Sequence, residues 1–199
     1  MLGTLLLILA AYLIGSVSFA VVVSRAFGLP DPHAYGSGNP GATNVLRTGH
    51  RTAALLTLVG DASKGLVAVL AAKAIAPLVG APDYAVALVA LAVFVGHLYP
   101  VFHRFAGGKG VATAAGIVLA LHWPLGVVLL GVWLTIALGF KISSLAALTT
   151  ALILPLGLFY AKGAGPEMAA GIVIALLLFW RHRTNIRQLV AGRERTIGR

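Results

Sequence analysis

The sequence predicts an all-α, polytopic integral membrane protein, and three observations predict it. Of 199 residues, 59% are hydrophobic and only 10% are charged, against ~25% charged in a soluble domain. Seven apolar segments follow one another, at about Leu2–Ser24, Thr52–Leu78, Tyr84–Phe102, Val111–Leu121, Pro124–Phe140, Ser144–Tyr160 and Pro166–Trp180. The connections between them divide by charge. A span needs ~20 apolar residues, so the length allows roughly six to eight spans and no separate soluble domain. Residues 1–199 are therefore read as one membrane-embedded domain.

Met1 to Val23 is apolar from the start, with no basic stretch before it, so it reads as a first span rather than a cleaved leader. No alternation long enough for a barrel follows, and backbone groups in lipid must be satisfied within their own segment, which requires helices. Arg25–Arg51 is a long connection rich in Gly and Pro. The second segment carries Asp61 and Lys64, three apart. Charges at that depth are paired or functional, and this pair reads as structural support for a site. His97 closes the third segment and reads as a hydrogen-bonded packing residue. The fourth segment, Val111–Leu121, is too short to cross ~30 Å at ~1.5 Å per residue. A broken helix beside a glycine turn is tolerated only where protein or a water cavity buries it. Trp123 and Trp180 read as interfacial anchors.

The net charge is +10. With the N-terminus outside, the loops after the first, third and fifth segments and the C-terminal tail face the cytoplasm. They hold Arg25, Arg47, Arg51, Arg104, Lys109, Lys141, Arg181, Arg183, Arg187, Arg193, Arg195 and Arg199, twelve of the 15 Lys and Arg. The exceptions are Lys64, Lys73 and Lys162, and the opposite loops carry Asp83 and Glu167. This bias orients the chain with its C-terminus inside. Lys141, Arg195 and Arg199 need no explanation beyond that rule. The chain has no cysteine, which excludes disulfides, thiolate catalysis and thiolate metal sites. His33, His50, His103 and His122 lack metal-ligand spacing, so no metal and no cofactor is expected.

Three polar elements fall on the basic side. The first is Gly36-Ser37-Gly38-Asn39-Pro40-Gly41-Ala42-Thr43-Asn44, followed by Arg47. Glycines let backbone N–H groups converge on an anion, Ser37 and Thr43 can donate to phosphate oxygens, and Arg47 can grip phosphate bidentately. The bland alternative is a flexible turn. The second is Gly107-Gly108-Lys109-Gly110 at the start of the short fourth helix, where unpaired N–H groups and a partial positive charge favour an anion. It is not a Walker A loop, because the spacing fails, and its alternative is an ordinary positive-inside lysine. The third is Arg181-His182-Arg183-Thr184-Asn185-Ile186-Arg187 with Gly192-Arg193-Glu194. One helical face would present both His182 and Asn185 to a substrate hydroxyl, unless the tail only binds anionic head groups. Three such elements on one face point to a shared anion site.

These runs resemble the motifs of the acyl-phosphate-dependent glycerol-3-phosphate acyltransferases, the bacterial PlsY family. Gly36 to Asn44 is similar to the first motif, Gly96-His97-Leu98-Tyr99-Pro100 through Gly107 to Thr113 to the second, and His182 to Ile186 with Gly192-Arg193-Glu194 to the third. Gly60-Asp61 and Lys64-Gly65 also match, so the resemblance covers essentially the whole chain. It implies a seven-span inner-membrane enzyme with a cytoplasmic active site. That enzyme moves a fatty acyl group from acyl phosphate to the 1-hydroxyl of glycerol 3-phosphate, the first step of bacterial phospholipid synthesis, without acyl-CoA. It also implies roles. Ser37, Arg47, Arg51 and Lys109 would hold glycerol 3-phosphate. Gly38, Asn39, Gly41, Thr43, Asn44, Gly107, Gly108 and Gly110 would form the acyl-phosphate cradle. His182 and Asn185 would orient the attacking hydroxyl. Asp31-Pro32-His33 stands where the family has Asp-Ile-Arg, and Gln188 where it has a second basic residue. Membrane lipid is an expected partner and nucleic acid is not. Transient contact with the enzyme that forms acyl phosphate is a further expectation that no residue here carries. The rival reading is a transporter for a phosphorylated solute, against which stands the lack of a matching basic site on the opposite face.

Overall fold

The computed structural model describes residues 1–197; Arg199, counted above among the basic-face charges, lies outside the described residues. All regular structure among these residues is helical: α1 Leu2–Ser16, α2 Phe19–Ala26, α3 Ala42–Leu46, α4 Arg51–Ile75, α5 Ala85–Leu98, α6 Val111–Leu121, α7 Trp123–Phe140, α8 Ser143–Lys162, α9 Pro166–Arg181 and α10 Arg183–Val190. Every one of the seven apolar segments is helical. By length and apolar character, four stretches suffice to cross a membrane: Arg51–Ile75, Ala85–His103, Trp123–Phe140 and Ser143–Lys162. The first segment is not one straight helix. It breaks at Val17–Ser18, and α1 and α2 meet at 42°, making a fifth span if the pair is counted together.

The break has a physical consequence. It frees backbone groups that lipid cannot satisfy, and Lys64 Nζ donates to Val17 O at 2.8 Å. The buried lysine of α4 thus mends the interruption in the first segment. A second lysine mends the short helix. Lys73 Nζ donates to Ala120 O and Leu121 O, at 2.6 and 3.1 Å, capping the last carbonyls of α6. A cation there also suits the negative end of the helix dipole.

Small residues set the helix spacing. A Cβ on Gly15 would strike the carbonyl of Val93, and one on Gly96 the carbonyl of Tyr12, so α1 and α5 touch backbone to backbone. A Cβ on Gly65 would strike Thr113 O, and one on Gly116 Ala62 O, which brings α6 equally close to α4. Lipid tails are as apolar as Leu, so close packing rather than water exclusion holds such helices together. Phe94, Leu98, Ile117, Leu158 and Ile174 are fully buried at the centre, whereas Leu138, Leu152, Leu156 and Leu176 stand outward, as a lipid-facing surface requires. Trp123 and Trp180 are also exposed, consistent with interfacial positions.

Candidate active site

The glycine-rich loop is folded around one amide. Asn44 is buried; its Oδ1 accepts from Ser37 N at 3.0 Å and Arg47 Nη1 at 3.3 Å, and its Nδ2 donates to Pro32 O and Tyr35 O. Gly36 and Gly38 both have φ above +60°, a backbone region costly for residues with a side chain. A Cβ on Gly36 would also collide with Asn44 Oδ1. The amide of Asn44 therefore serves its own loop, which in turn presents Ser37, Asn39, Gly41, Thr43 and Arg47 to a cavity. His33, at the departure from the family pattern, ties this loop to the next: its ring nitrogens lie 2.7 Å from Asp31 Oδ1 and 2.9 Å from Ala106 O.

Backbone contact shapes the second loop. Gly108 N donates to His97 O at 3.2 Å. Arg181 reaches across from the end of α9, donating from Nε to Gly108 O at 3.1 Å and from Nη2 to Gly107 O at 2.6 Å. Gly110, at φ 87°, starts α6 against Phe94, and Gly110–Ala112 turns the helix N-terminus toward the cavity.

Lys109 connects this loop to the third element. Its Nζ donates to Asn185 Oδ1 at 2.6 Å, Asn185 Nδ2 donates to Glu194 Oε1 at 2.6 Å, and Ser144 Oγ donates to the same oxygen at 2.7 Å. His182 caps both helices, closing α9 and opening α10, and Ile186 N bonds His182 O at 2.9 Å. The side chains of His182 and Asn185 both line the cavity. His182 Nδ1 lies 2.8 Å from Leu178 O. A carbonyl only accepts, so Nδ1 carries the hydrogen and Nε2 keeps its lone pair.

Burial pushes Lys109 down to about 8, with Arg181 and Arg47 adding to the fall and Glu194 opposing it. Burial, reinforced by the Lys109 charge, holds His182 down to about 4. His182 is therefore neutral at physiological pH, while Lys109 is poised to gain from an incoming anion.

The cavity measures about 550 Å³. Eleven of the fourteen proposed site residues line it: Ser37, Asn39, Gly41, Thr43, Asn44, Arg47, Arg51, Lys109, Gly110, His182 and Asn185. Gly38, which is exposed, and Gly107 and Gly108, which are buried, do not line it. Its polar end continues into an apolar one formed by Leu58, Val118, Leu129, Trp133 and Leu154. Sequence reasoning missed several members. Arg195, read as topological charge alone, lines the cavity near Arg47 and Glu194, because the tail folds back and Ile197 N bonds Lys141 O at 2.7 Å. Glu194 stood in the third motif without a role, and its carboxylate proves to hold Asn185 and Ser144. Ser144 begins an apolar helix and gave no signal. Arg181 showed only as one of several basic residues.

Together the fold and the chamber define a helical membrane protein with one cavity that is cationic at one end and apolar at the other. Its relatives are more specific. Residues 5–192 match the family described as glycerol-3-phosphate acyltransferase. The glycerol-3-phosphate acyltransferase of Cupriavidus metallidurans is 60% identical, covering 98% of this chain and 96% of its own, and that of Thiobacillus denitrificans is 57% identical over 98% of both. A crystal structure of PlsY (YgiH), an integral membrane glycerol 3-phosphate acyltransferase, in its glycerol 3-phosphate form superposes with a TM-score of 0.90 at 38% identity, covering 98% of this chain and 96% of that one. Its lysophosphatidic acid form gives 0.87 at 38% identity, covering 97% and 94%. The chain belongs to the glycerol-3-phosphate acyltransferase family.

Proposed function

We propose that the chain transfers a fatty acyl group from acyl phosphate to the 1-hydroxyl of glycerol 3-phosphate. The products are 1-acylglycerol 3-phosphate and inorganic phosphate. The observation that carries this reading is a single cavity with a cation-rich head and an apolar tail, in a chain whose relatives are named for glycerol 3-phosphate acylation. One end suits two phosphates, and the other suits a fatty chain entering from lipid.

Acyl phosphate is a mixed anhydride and arrives activated, so positioning and charge stabilisation supply most of what remains. Lys109, Arg47 and Ser37, with Arg51 at the rim, hold glycerol 3-phosphate. Asn39, Gly41, Thr43 and the α6 N-terminus receive the donor phosphate. His182 Nε2 accepts a hydrogen bond from the attacking hydroxyl, while Asn185 holds Lys109 in place. The hydroxyl oxygen bonds to the carbonyl carbon, the acyl carbon–phosphate oxygen bond breaks, and the departing phosphate keeps the electron pair. A substrate phosphate takes the hydroxyl proton, since its second pKa is near ~6.

The same reading makes the protein a seven-span constituent of the bacterial inner membrane, N-terminus outside and active site cytoplasmic. The support is the clustering of Arg47, Lys109 and Arg181–Arg195 at one end of the bundle. The test is purified protein supplied with acyl phosphate and glycerol 3-phosphate, with lysophosphatidate measured over time. Acyl-CoA in place of acyl phosphate should give no product, and equal rates with both donors would overturn the donor assignment. Uptake of glycerol 3-phosphate into vesicles without product would favour a transporter.

A further inference from the structure

Beneath the phosphate loop, in the wall of the same cavity, lies a charged cluster that the proposed chemistry does not use. Asp61 of α4 and His97 of α5 are 3% and 7% exposed. Asp61 Oδ1 takes the Lys64 ammonium at 3.0 Å and faces His97 Nδ1 at 3.6 Å. His97 Nδ1 has no hydrogen-bond partner among the described residues, and 3.6 Å is longer than a hydrogen bond. The cluster is anchored on its other sides: Lys64 Nζ holds Val17 O, and Thr113 Oγ1, in the first turn of α6, donates to Asp61 O at 2.9 Å.

The other face of His97 meets the phosphate loop. Its carbonyl accepts from Gly108 N. A Cβ on Gly107 would strike that carbonyl, and one on Gly108 would strike Nε2 of the ring. The loop glycines thus rest directly on this histidine, with Lys109 the next residue. Anything that fixes the ring fixes the floor on which Lys109 stands.

We propose that Asp61 and His97 form a positioning dyad for the substrate: Asp61 aligns the imidazole, and the imidazole sets the height and register of the Gly107–Lys109 loop against Asn185. Neither is a catalytic residue in this role. The phosphate drawn to Lys109 pulls on the loop, and the dyad resists. Lys64 completes the device by holding Asp61 Oδ1 at 3.0 Å, which fixes the carboxylate that faces His97 Nδ1.

The inference rests on the proposed acyl transfer, and the two fail differently: without product from the unsubstituted protein the transfer reading falls, whereas the dyad is judged only against an active protein. The experiment compares His97→Asn, His97→Gln and Gly108→Ala, singly and as His97→Asn/Gly108→Ala, by kcat, the KM for glycerol 3-phosphate and thermal midpoint in detergent. Asn places an amide near Nδ1 and leaves space under Gly108, whereas Gln places one near Nε2 and restores the floor. Misplacing a bound group by ~1 Å can cost about 10²-fold. His97→Asn should therefore raise the KM for glycerol 3-phosphate by roughly 10- to 100-fold with little change in thermal midpoint, and Gln should recover part of the loss. Gly108→Ala should be less harmful in the Asn background than alone, because the ring, the nearer of the two groups it strikes, is gone while Pro40 O stays in place, giving non-additivity for residues in contact. Additive losses, or a KM unchanged in both His97 variants, would overturn the proposal. If His97→Asn does not fold, Asp61→Asn removes the aligning charge while keeping an amide oxygen for the Lys64 ammonium, which stays bonded to Val17 O. It should show the same KM rise, and a normal KM there would equally contradict the dyad.

Discussion

At the residue scale, Lys109 carries the greatest weight. Its ammonium spans the second and third elements through Asn185 and faces the space a phosphate would fill. Lys109→Ala should lower kcat/KM for glycerol 3-phosphate by ~10²–10³-fold, the range seen when one preorganised charge-stabilising donor is removed, while membrane insertion and melting behaviour persist. Its pH dependence follows from the same burial. A lysine held down to about 8 loses its charge as pH rises past that value, so KM should climb above pH ~8. Lys109→Arg, whose guanidinium stays charged, should retain binding with a flatter alkaline limb; an unchanged limb would assign the titration elsewhere. The direction is opposite for His182. Held down to about 4, it stays neutral while an unfolded histidine near ~6.5 takes up a proton. The unfolded state then binds more protons, so this residue's share of stability is present above pH ~6.5 and is lost as pH falls toward 4. The wild-type melting temperature should fall more between pH 7 and 4.5 than that of His182→Asn.

Elements were legible in the sequence wherever lipid was the deciding solvent. All seven apolar segments form helices because a chain in hydrocarbon has no other way to satisfy its backbone. The short α6 was foreseeable for the same reason. The break at Val17–Ser18 was not read, although Ser16 and Ser18 put two hydroxyls into the apolar run, because the freed carbonyl is satisfied by a lysine 47 residues away. His182 and Asn185 meet at one cavity, as their spacing suggested, but the helix boundary that falls on His182 was not foreseen. Arg195 escaped because counting charges on a face cannot reveal a tail folding inward. Close packing gives a prediction at this scale. Gly116→Val would drive a side chain into Ala62 O and push α6 from α4. Overpacking of this kind costs typically ~1–3 kcal/mol, so the melting temperature should drop, and activity with it, because the N-terminus of α6 forms part of the chamber. An unaltered melting temperature would mean that α4 and α6 yield more readily than their backbone contact implies.

At the scale of the whole molecule, the basic end of the bundle holds two populations of charge. Lys141 is exposed and needs only topology to explain it, whereas Arg47, Lys109, Arg195 and the region around His182 surround one cavity. The chamber joins a polar head to an apolar tail within a bundle fixed by small residues, and that union is what an acyl transfer between a lipid-borne donor and a water-borne acceptor requires. The most direct measurement follows both products in one reaction: inorganic phosphate and lysophosphatidate, from acyl phosphate and glycerol 3-phosphate, with purified wild-type protein and with Lys109→Ala. One phosphate should be released per lysophosphatidate formed, and both should vanish together in the variant. Phosphate release without acylated product, or product formation undiminished by folded Lys109→Ala protein, would contradict the account.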